Sequence, residues 1–478
     1  MPVSQDFQPA SVHADLGDAF YDVVAPAEFP QHMLRYRNRR AAARIGLDSL
    51  TDDEWIAHFG RFEPLPGTLP KPLALRYHGH QFRVYNADLG DGRGFLFAQC
   101  RDVVDGRLLD LGTKGSGQTP WSRRGDGRLT LKGGVREVLA TEMLEALGVD
   151  TSKSFSLIET GEALWRGDEP SPTRSSVLVR LSHSNIRIGT FQRLLYLDRH
   201  DEIARLVDHA VRHYLPGARR DDRAAQAIAF LEEVGRRVAE TGARWMLAGF
   251  VHGVLNTDNI NITGESFDYG PWRFAPVLDP AFTAAYFDET GLYAFGRQPD
   301  TLLWNMTRLA ECLLPLAPQA ELQRVLEGFA PEFRQRFAAA MLDRLGLESA
   351  GEEADQALTG AVWRYLAESR VPYEQFLFDW RGGIESSDRA GRSPSREAYA
   401  SAQFQPVRDA FAGHEARDGG LAHPYFSRTE PCTMLIDEVE AIWAPIAADD
   451  DWSLFNAKLA DIGELRAAYA PPPMRRGL

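Results

Sequence analysis

Cysteine is scarce: the 478 residues contain three, Cys100, Cys312 and Cys432, set far apart and forming no C-x-x-C. Three such thiols build no disulfide framework in a chain this long, and a reducing, cytoplasmic setting is expected. His78 and His80, in Y-H-G-H-Q, have no cysteine or third histidine near them in sequence, which argues against zinc. Long apolar runs are missing as well. No window approaches the roughly eighteen residues that cross a bilayer, so no membrane span is expected. The opening M-P-V-S-Q-D-F-Q-P has neither a basic-then-apolar nor an arginine-rich amphipathic pattern, so neither a secretory nor a transit peptide is expected. Positive charge is in deficit, with 53 Lys and Arg against 67 Asp and Glu, a net −14. The basic residues are scattered, which argues against nucleic-acid binding and against anchoring on acidic lipid. Apolar residues are plentiful at 44%. That suffices for a large core, in two to four domains or one large fold with additions.

One stretch concentrates chemistry. Residues 249–271 read G-F-V-H-G-V-L-N-T-D-N-I-N-I-T-G-E-S-F-D-Y-G-P and pack His252, Asp258, Asn259 and Asp268 close together. A protein kinase carries H-R-D-L-x-x-x-N and then D-F-G, so that the Asn and the second Asp hold magnesium against phosphates. Aligning His252 with the kinase His puts Asn259 on the Asn and Asp268-Tyr269-Gly270 on D-F-G. The same register puts Val254 where the proton acceptor belongs. Valine accepts no proton, so ordinary phosphoryl transfer through that position is excluded. The nearest carboxylate is Asp258, four residues along, and it is the candidate base. The competing reading is a polar hairpin whose Asn and Asp serve turns.

Upstream, a helix is expected over Pro30–Ile45, then short strands at Gln81–Asp88, Gly94–Arg101 and Leu108–Thr113. Leu89-Gly-Asp-Gly-Arg-Gly is either a turn that lets backbone N–H groups approach phosphate or an ordinary hairpin. Lys114 leaves the third strand among glycines. Residues 129–147 have apolar positions at helical spacing with Gly148 as a stop, and Glu137 lies early in that helix, in the kinase order of strand lysine before helix glutamate. Strands follow at Ser154–Glu159 and Val177–Ser182, separated by a turn-rich loop over Gly167–Ser176. Arg180 and Arg187 either clamp a phosphate or bridge to a carboxylate. Helices are expected over Phe191–Thr241, Ala243–Phe250, Asp300–Leu314 and Leu322–Leu345. The final third reads as mostly helical, with loops at Arg381-Gly-Gly and at 418–420.

Taken together, H-G-H-Q-F, L-G-D-G-R, K-G-S-G-Q-T-P-W-S-R-R-G-D-G-R, R-E-V-L-A-T-E-M-L-E-A-L-G-V, R-L-S-H-S-N-I-R-I-G-T-F and the 249–271 stretch resemble the selenoprotein O family, pseudokinases that act as protein adenylyltransferases. The resemblance covers roughly residues 75–315. It implies an α+β, kinase-like two-lobed fold: an extension over 1–75, a β-rich N-lobe over 76–182, a helical C-lobe over 183–347 and a helical C-terminal region over 348–478. It implies that ATP binds in reversed orientation with Mg²⁺, or Mn²⁺ in its place, and that AMP passes to Ser, Thr or Tyr hydroxyls of protein substrates. Carried over residue by residue, Gly90, Gly92 and Arg93 would line the nucleotide. Lys114 would meet the phosphates with Glu137 holding it, and Asp126 and Gly127 would add contacts. Arg180 and Arg187 would hold the buried terminal phosphate, Asn259 and Asp268 the metal, and Asp258 would be the base.

The chain departs from the family in three places, one of them K-G-G-V-R-E over 132–137, where the family more often has serines. Its last cysteine is Cys432, where members often carry selenocysteine or cysteine close to the C-terminus, and this chain closes on A-P-P-P-M-R-R-G-L. Glu430-Pro-Cys-Thr-Met-Leu-Ile-Asp437 stands where the family's N-P-x-x-V-L-R-N falls, without the Arg-Asn pair. Two readings compete with adenylyl transfer. One is a protein or small-molecule kinase, against which Val254 speaks, and the other is a catalytically inactive ATP-binding scaffold.

Overall fold

Short segments that are apolar at nearly consecutive positions need a sheet with both faces covered, and the structure supplies one. It is a computed structural model that describes residues 4–470 apart from 168, 418 and 420. The strands in chain order are β1 (Gln8–Ala10), β2 (Tyr21–Val23), β3 (Met33–Arg37), β4 (Leu73–Leu75), β5 (Gly79–Gln81), β6 (Val84–Asn86), β7 (Leu96–Arg101), β8 (Leu108–Lys114), β9 (Leu129–Thr130), β10 (Lys153–Leu164), β11 (Thr173–Ser182), β12 (Phe250–Val251) and β13 (Arg273–Phe274). Nine of them form one sheet in the order β2-β4-β7-β8-β11-β10-β3, with β1 added on β7 and β9 on β11. Every pairing in it is antiparallel. β5–β6 and β12–β13 are separate two-stranded ribbons.

Alternation sends Leu109, Leu111, Val177, Val179 and Leu181 to one face, where they pack with Trp55 and Phe59 of the helix α2 (Asp52–Phe59), which follows the short α1 (Arg39–Ala43). Leu108 and Leu178 point to the other face, against Val135, Val138 and Leu139 of α3 (Leu131–Ala146). The β8–β11 register sets Lys114 opposite Leu178 and Gly112 opposite Arg180. Both cations therefore project toward α3.

The remaining helices are α4 (Ile188–Tyr196), α5 (His200–His213), α6 (Arg223–Leu247), α7 (Gln298–Leu313), α8 (Gln319–Glu327), α9 (Phe329–Leu345), α10 (Glu352–Ser369), α11 (Tyr373–Asp379), α12 (Ser387–Ala390), α13 (Arg396–Tyr399), α14 (Gln405–Phe411), α15 (Ile436–Asp449) and α16 (Ser453–Tyr469). The core of α3 continues without a break through α4 to α8 and takes in apolar residues of α15 and α16. A second apolar cluster joins the end of α6 to α9, α10, α11 and α14. No helix among the described residues is long and apolar enough to cross a membrane.

The helix expected over Pro30–Ile45 is a strand for its first half. Met33–Arg37 pairs with β10, and helix begins only after Asn38, whose Oδ1 accepts from Ala41 N at 2.9 Å. Residues 1–75, read as an extension, supply β1 to β4 of the main sheet. The loop expected over 167–176 is shorter, since β11 starts at Thr173. Part of that loop, part of the 418–420 loop and the C-terminal residues from 471 onward lie outside the described residues.

Candidate active site

A salt-bridge cluster forms where the sheet meets α3. Lys114 Nζ lies 2.7 Å from Glu137 Oε2 and 2.9 Å from Asp268 Oδ1. Arg180 repeats the pattern from the neighbouring strand, with Nε 2.5 Å from Glu137 Oε1 and Nη2 2.8 Å from Asp268 Oδ1. Two cations and two carboxylates thus close a ring, and Glu137 is 1% exposed. Burial alone would raise the Asp268 carboxyl, yet Lys114, Arg180 and Arg93 outweigh it and hold the group well below the usual carboxylate range. Burial pulls the Lys114 ammonium down, against Asp268 and Glu137. Asp268 has φ +62°, a left-handed turn in a non-glycine residue that aims its carboxylate back at the cations.

Asp258 and Asn259 sit on a 3₁₀ turn, Thr257–Asn259, which the β5–β6 ribbon grips from outside. Thr257 Oγ1 accepts from His80 N at 2.7 Å, and Asn256 Oδ1 accepts from Phe82 N at 3.1 Å and from the Tyr293 hydroxyl at 2.7 Å. Gly79 makes the close approach, since a Cβ there would lie 3.1 Å from Asp258 Oδ1. Asp258 Oδ1 is buried without a hydrogen-bond partner among the described residues. Burial pushes this carboxyl up to about 6, opposed by Arg187. Arg187 itself lies over the Tyr77 ring at 4.2 Å and near Phe267 at 5.1 Å, with Nη2 3.5 Å from Asp91 Oδ1. His252 is fully buried, its Nε2 3.1 Å from Phe267 O, which ties the loop's start to the residue before Asp268.

Lys114, Arg180, Arg187, Asp258, Asn259 and Asp268 line one cavity of about 800 Å³, together with Gly90, Gly92, Arg93, Asp126, Gly127 and Val254. Glu137 stands behind Lys114. Eight cationic residues (Arg93, Lys114, Arg123, Arg124, Arg128, Arg166, Arg180 and Arg187) face four carboxylates there. A chain with a net charge of −14 has gathered an excess of positive charge in one hollow, as a polyanionic ligand requires. The volume suits a nucleotide.

The turn carrying Gly90 and Gly92 is pressed under the 118–128 loop. A Cβ on Gly90 would lie 2.4 Å from the Trp121 ring and one on Gly92 2.8 Å from Trp121 O. Ser122 and Thr119 hydroxyls donate to Gly92 O and Asp91 O, each at 2.5 Å. Glycine is needed there for contact with Trp121, whatever else the turn binds. Asp126 is on the rim, paired with Arg166 at 2.7 Å, and Gly127 has φ +70° with Gly117 C only 2.3 Å from where a Cβ would be.

No group of three or more His, Cys, Asp or Glu side chains placed to hold a metal is found among the described residues. A magnesium ion asks for less, since one or two protein oxygens suffice when phosphates and water complete the octahedron. Asn259 Nδ2 donates to Val254 O at 2.9 Å, which leaves its amide oxygen as the donor for a cation, beside Asp268 and the orphaned Asp258 Oδ1. This oxygen set fits a hard divalent cation.

Sequence reasoning passed over Tyr77, Asp91, Trp121, Arg123 and Arg124, all of which line the cavity. Tyr77 stands in Y-H-G-H-Q, where nothing local marks it for its contact with the distant Arg187. Comparison with known proteins matches residues 3–462 to the family described as protein adenylyltransferase SelO. A protein nucleotidyltransferase YdiU from Gloeobacter violaceus is 46% identical, over 97% of this chain and 96% of its own. One of the same description from Synechocystis is 45% identical, over 92% and 94%, and one from Vibrio vulnificus is 36% identical, over 77% and 74%. The chain is a nucleotidyltransferase and belongs to the SelO family of protein adenylyltransferases.

Proposed function

We propose that this chain transfers AMP from ATP to Ser, Thr or Tyr hydroxyls of protein substrates, on a kinase-like two-lobed frame with the triphosphate reversed. One observation carries the reading: the cavity has Val254 at the kinase base position and, four residues on, a buried carboxylate at Asp258 with an unpartnered oxygen. A base displaced along the loop suits a displaced phosphorus.

Asp258 takes the proton of the acceptor hydroxyl. The hydroxyl oxygen bonds to the α-phosphorus, the bond from that phosphorus to the bridging oxygen breaks, and the electron pair leaves with pyrophosphate. Lys114, Arg180 and Arg187 face the phosphates and offset the charge that gathers on the leaving group. Glu137 holds Lys114 and Arg180 in place. Asn259 and Asp268 would hold magnesium, which supplies Lewis-acid neutralisation of the triphosphate. Gly90, Gly92, Arg93, Asp126 and Gly127 border the rest of the nucleotide.

ATP labelled separately at the α and γ positions tests the assignment. α-Label is expected to enter protein, with a mass gain of one AMP. Asp258→Asn should keep nucleotide affinity within about threefold and lose transfer by roughly 10²–10⁴-fold, the range for a general base. Protein that retains γ-label alone would return the site to the kinase class, and no label with intact ATP binding would leave a scaffold.

A further inference from the structure

We propose that the exposed aromatic pair Tyr286 and Phe287 docks the acceptor: an extended protein segment that sets a large apolar side chain on one side of its hydroxyl and acidic residues on the other. The inference rests on the AMP-transfer reading above and names the acceptor that reading leaves open.

Single exposed apolar side chains are common on soluble proteins; a joined patch beside a reactive cavity is not. Tyr286 is 82% exposed and Phe287 47%. Their rings meet edge to face at 5.2 Å, and Phe287 reaches Phe82, at the tip between β5 and β6, at 5.8 Å. The patch is pinned to the reacting loop from two directions. Phe82 N and the Tyr293 hydroxyl both donate to Asn256, two residues before Asp258. Gly253, at φ +81° and next to Val254, packs on the segment just before the pair, where a Cβ would lie 2.9 Å from Ala284 Cβ. A chain lying across the patch therefore meets the mouth of the cavity close to Asp258.

The 118–128 loop carries the opposite character. Arg123 and Arg124 line the cavity, are exposed, and have no ion pair among the described residues. Both are held in the left-handed region, at φ +46° and +69°, a conformation that non-glycine residues seldom adopt. The buried phosphate-facing cations are already Lys114, Arg180 and Arg187, so two strained, solvent-facing guanidinium groups at the mouth suit carboxylates of the incoming chain. Aromatic anchor and cationic rim together specify the order of side chains flanking the hydroxyl.

The test uses the full chain, α-labelled Mg-ATP and a panel of tyrosine peptides in which an acidic flank and an aromatic flank are each kept or replaced by glycine. Casein serves as an unfolded generic acceptor. Peptides with both flanks are expected to be labelled at least tenfold faster than those lacking either. Tyr286→Ser with Phe287→Ser should raise acceptor KM at least tenfold while leaving the ATP dissociation constant within twofold. Arg123→Ser with Arg124→Ser should erase the preference for the acidic flank alone. Equal labelling across the panel, or unchanged acceptor KM in the aromatic variant, overturns the docking surface and spares the reaction. Absence of α-label in both casein and every peptide overturns the reaction and the docking surface with it.

Discussion

Arg187 owes its position to a ring. Its guanidinium lies 4.2 Å over Tyr77, while its nearest carboxylate oxygen, on Asp91, stands off at 3.5 Å, long for a charged hydrogen bond, so the aromatic face is a main support. A desolvated cation–π contact is worth up to about 2 kcal/mol. Tyr77→Leu should therefore weaken ATP binding roughly 5–30-fold by calorimetry, while Tyr77→Phe, which keeps the ring, stays within threefold. Glu265 makes a second case at this scale. It is buried, accepts from His183 N at 2.8 Å, and is pushed up to about 8 by burial, with Asp150 raising it further and Lys153 and Arg107 opposing. A carboxyl near 4.5 when unfolded and near 8 when folded binds more protons in the native state between those values. Its contribution to stability is full below about pH 4.5 and falls as pH rises toward 8. Glu265→Gln should accordingly melt above the parent at pH 8.5, by roughly 1–3 °C, and no higher at pH 4.5, as read by calorimetric scans. The sequence announced the charged residues that converge in the cavity, because a lysine leaving a strand and a glutamate in the first two turns of the next helix stand in a recognisable order. Tyr77 and Asp91 carried no such signal, since their roles come from what a distant arginine does.

Among elements, the turn between β6 and β7 shows how backbone contact limits side chains. A Cβ on Gly94 would lie 2.0 Å from Thr113 O, a backbone atom in the strand that ends at Lys114. Gly94→Ala must push β7 and β8 apart, and a loss of about 1–3 kcal/mol is expected from urea unfolding, the range for overpacked interiors. Nucleotide affinity should fall with it, because Lys114 rides on the displaced strand. The helix α3 was readable as a run of apolar positions at spacing 3–4, with its stop at Gly148. β3 was not. Its Met33-Leu-Arg-Tyr-Arg is half-buried at every position, so no alternation marks it, and what makes it a strand is β10, more than 100 residues away. Pairing of that kind is decided by tertiary contact and leaves little trace in local composition.

On the scale of the whole molecule, Glu142 of α3 ties together two segments far apart in sequence, residues 36–40 and α16. It accepts from Tyr36 at 2.8 Å and from Asn38 at 3.0 Å, pairs with Arg40 at 3.3 Å, and receives Arg466 from α16. Five residues earlier the same helix carries Glu137, which holds the cavity's Lys114 and Arg180. Arg466→Ala should lower the melting temperature by a few degrees, since losing one partner of a half-buried charged cluster costs on the order of 1–3 kcal/mol. Faster amide exchange in α3 is expected alongside, and unchanged exchange there would separate the C-terminal helices from the site. Nothing in the sequence of 436–469 hinted at this role, because the apolar residues of α15 and α16 meet α3 only through the fold.

The cationic hollow has a further consequence. An acidic exterior turns away long polyanions at range, while a compact anion small enough to drop into the pit meets attraction once inside. Ionic strength flattens both effects over about 8 Å at physiological salt. Discrimination between a single nucleotide and an RNA strand should thus be sharpest in dilute buffer, and dissolved salt rather than any contact would decide how far it extends.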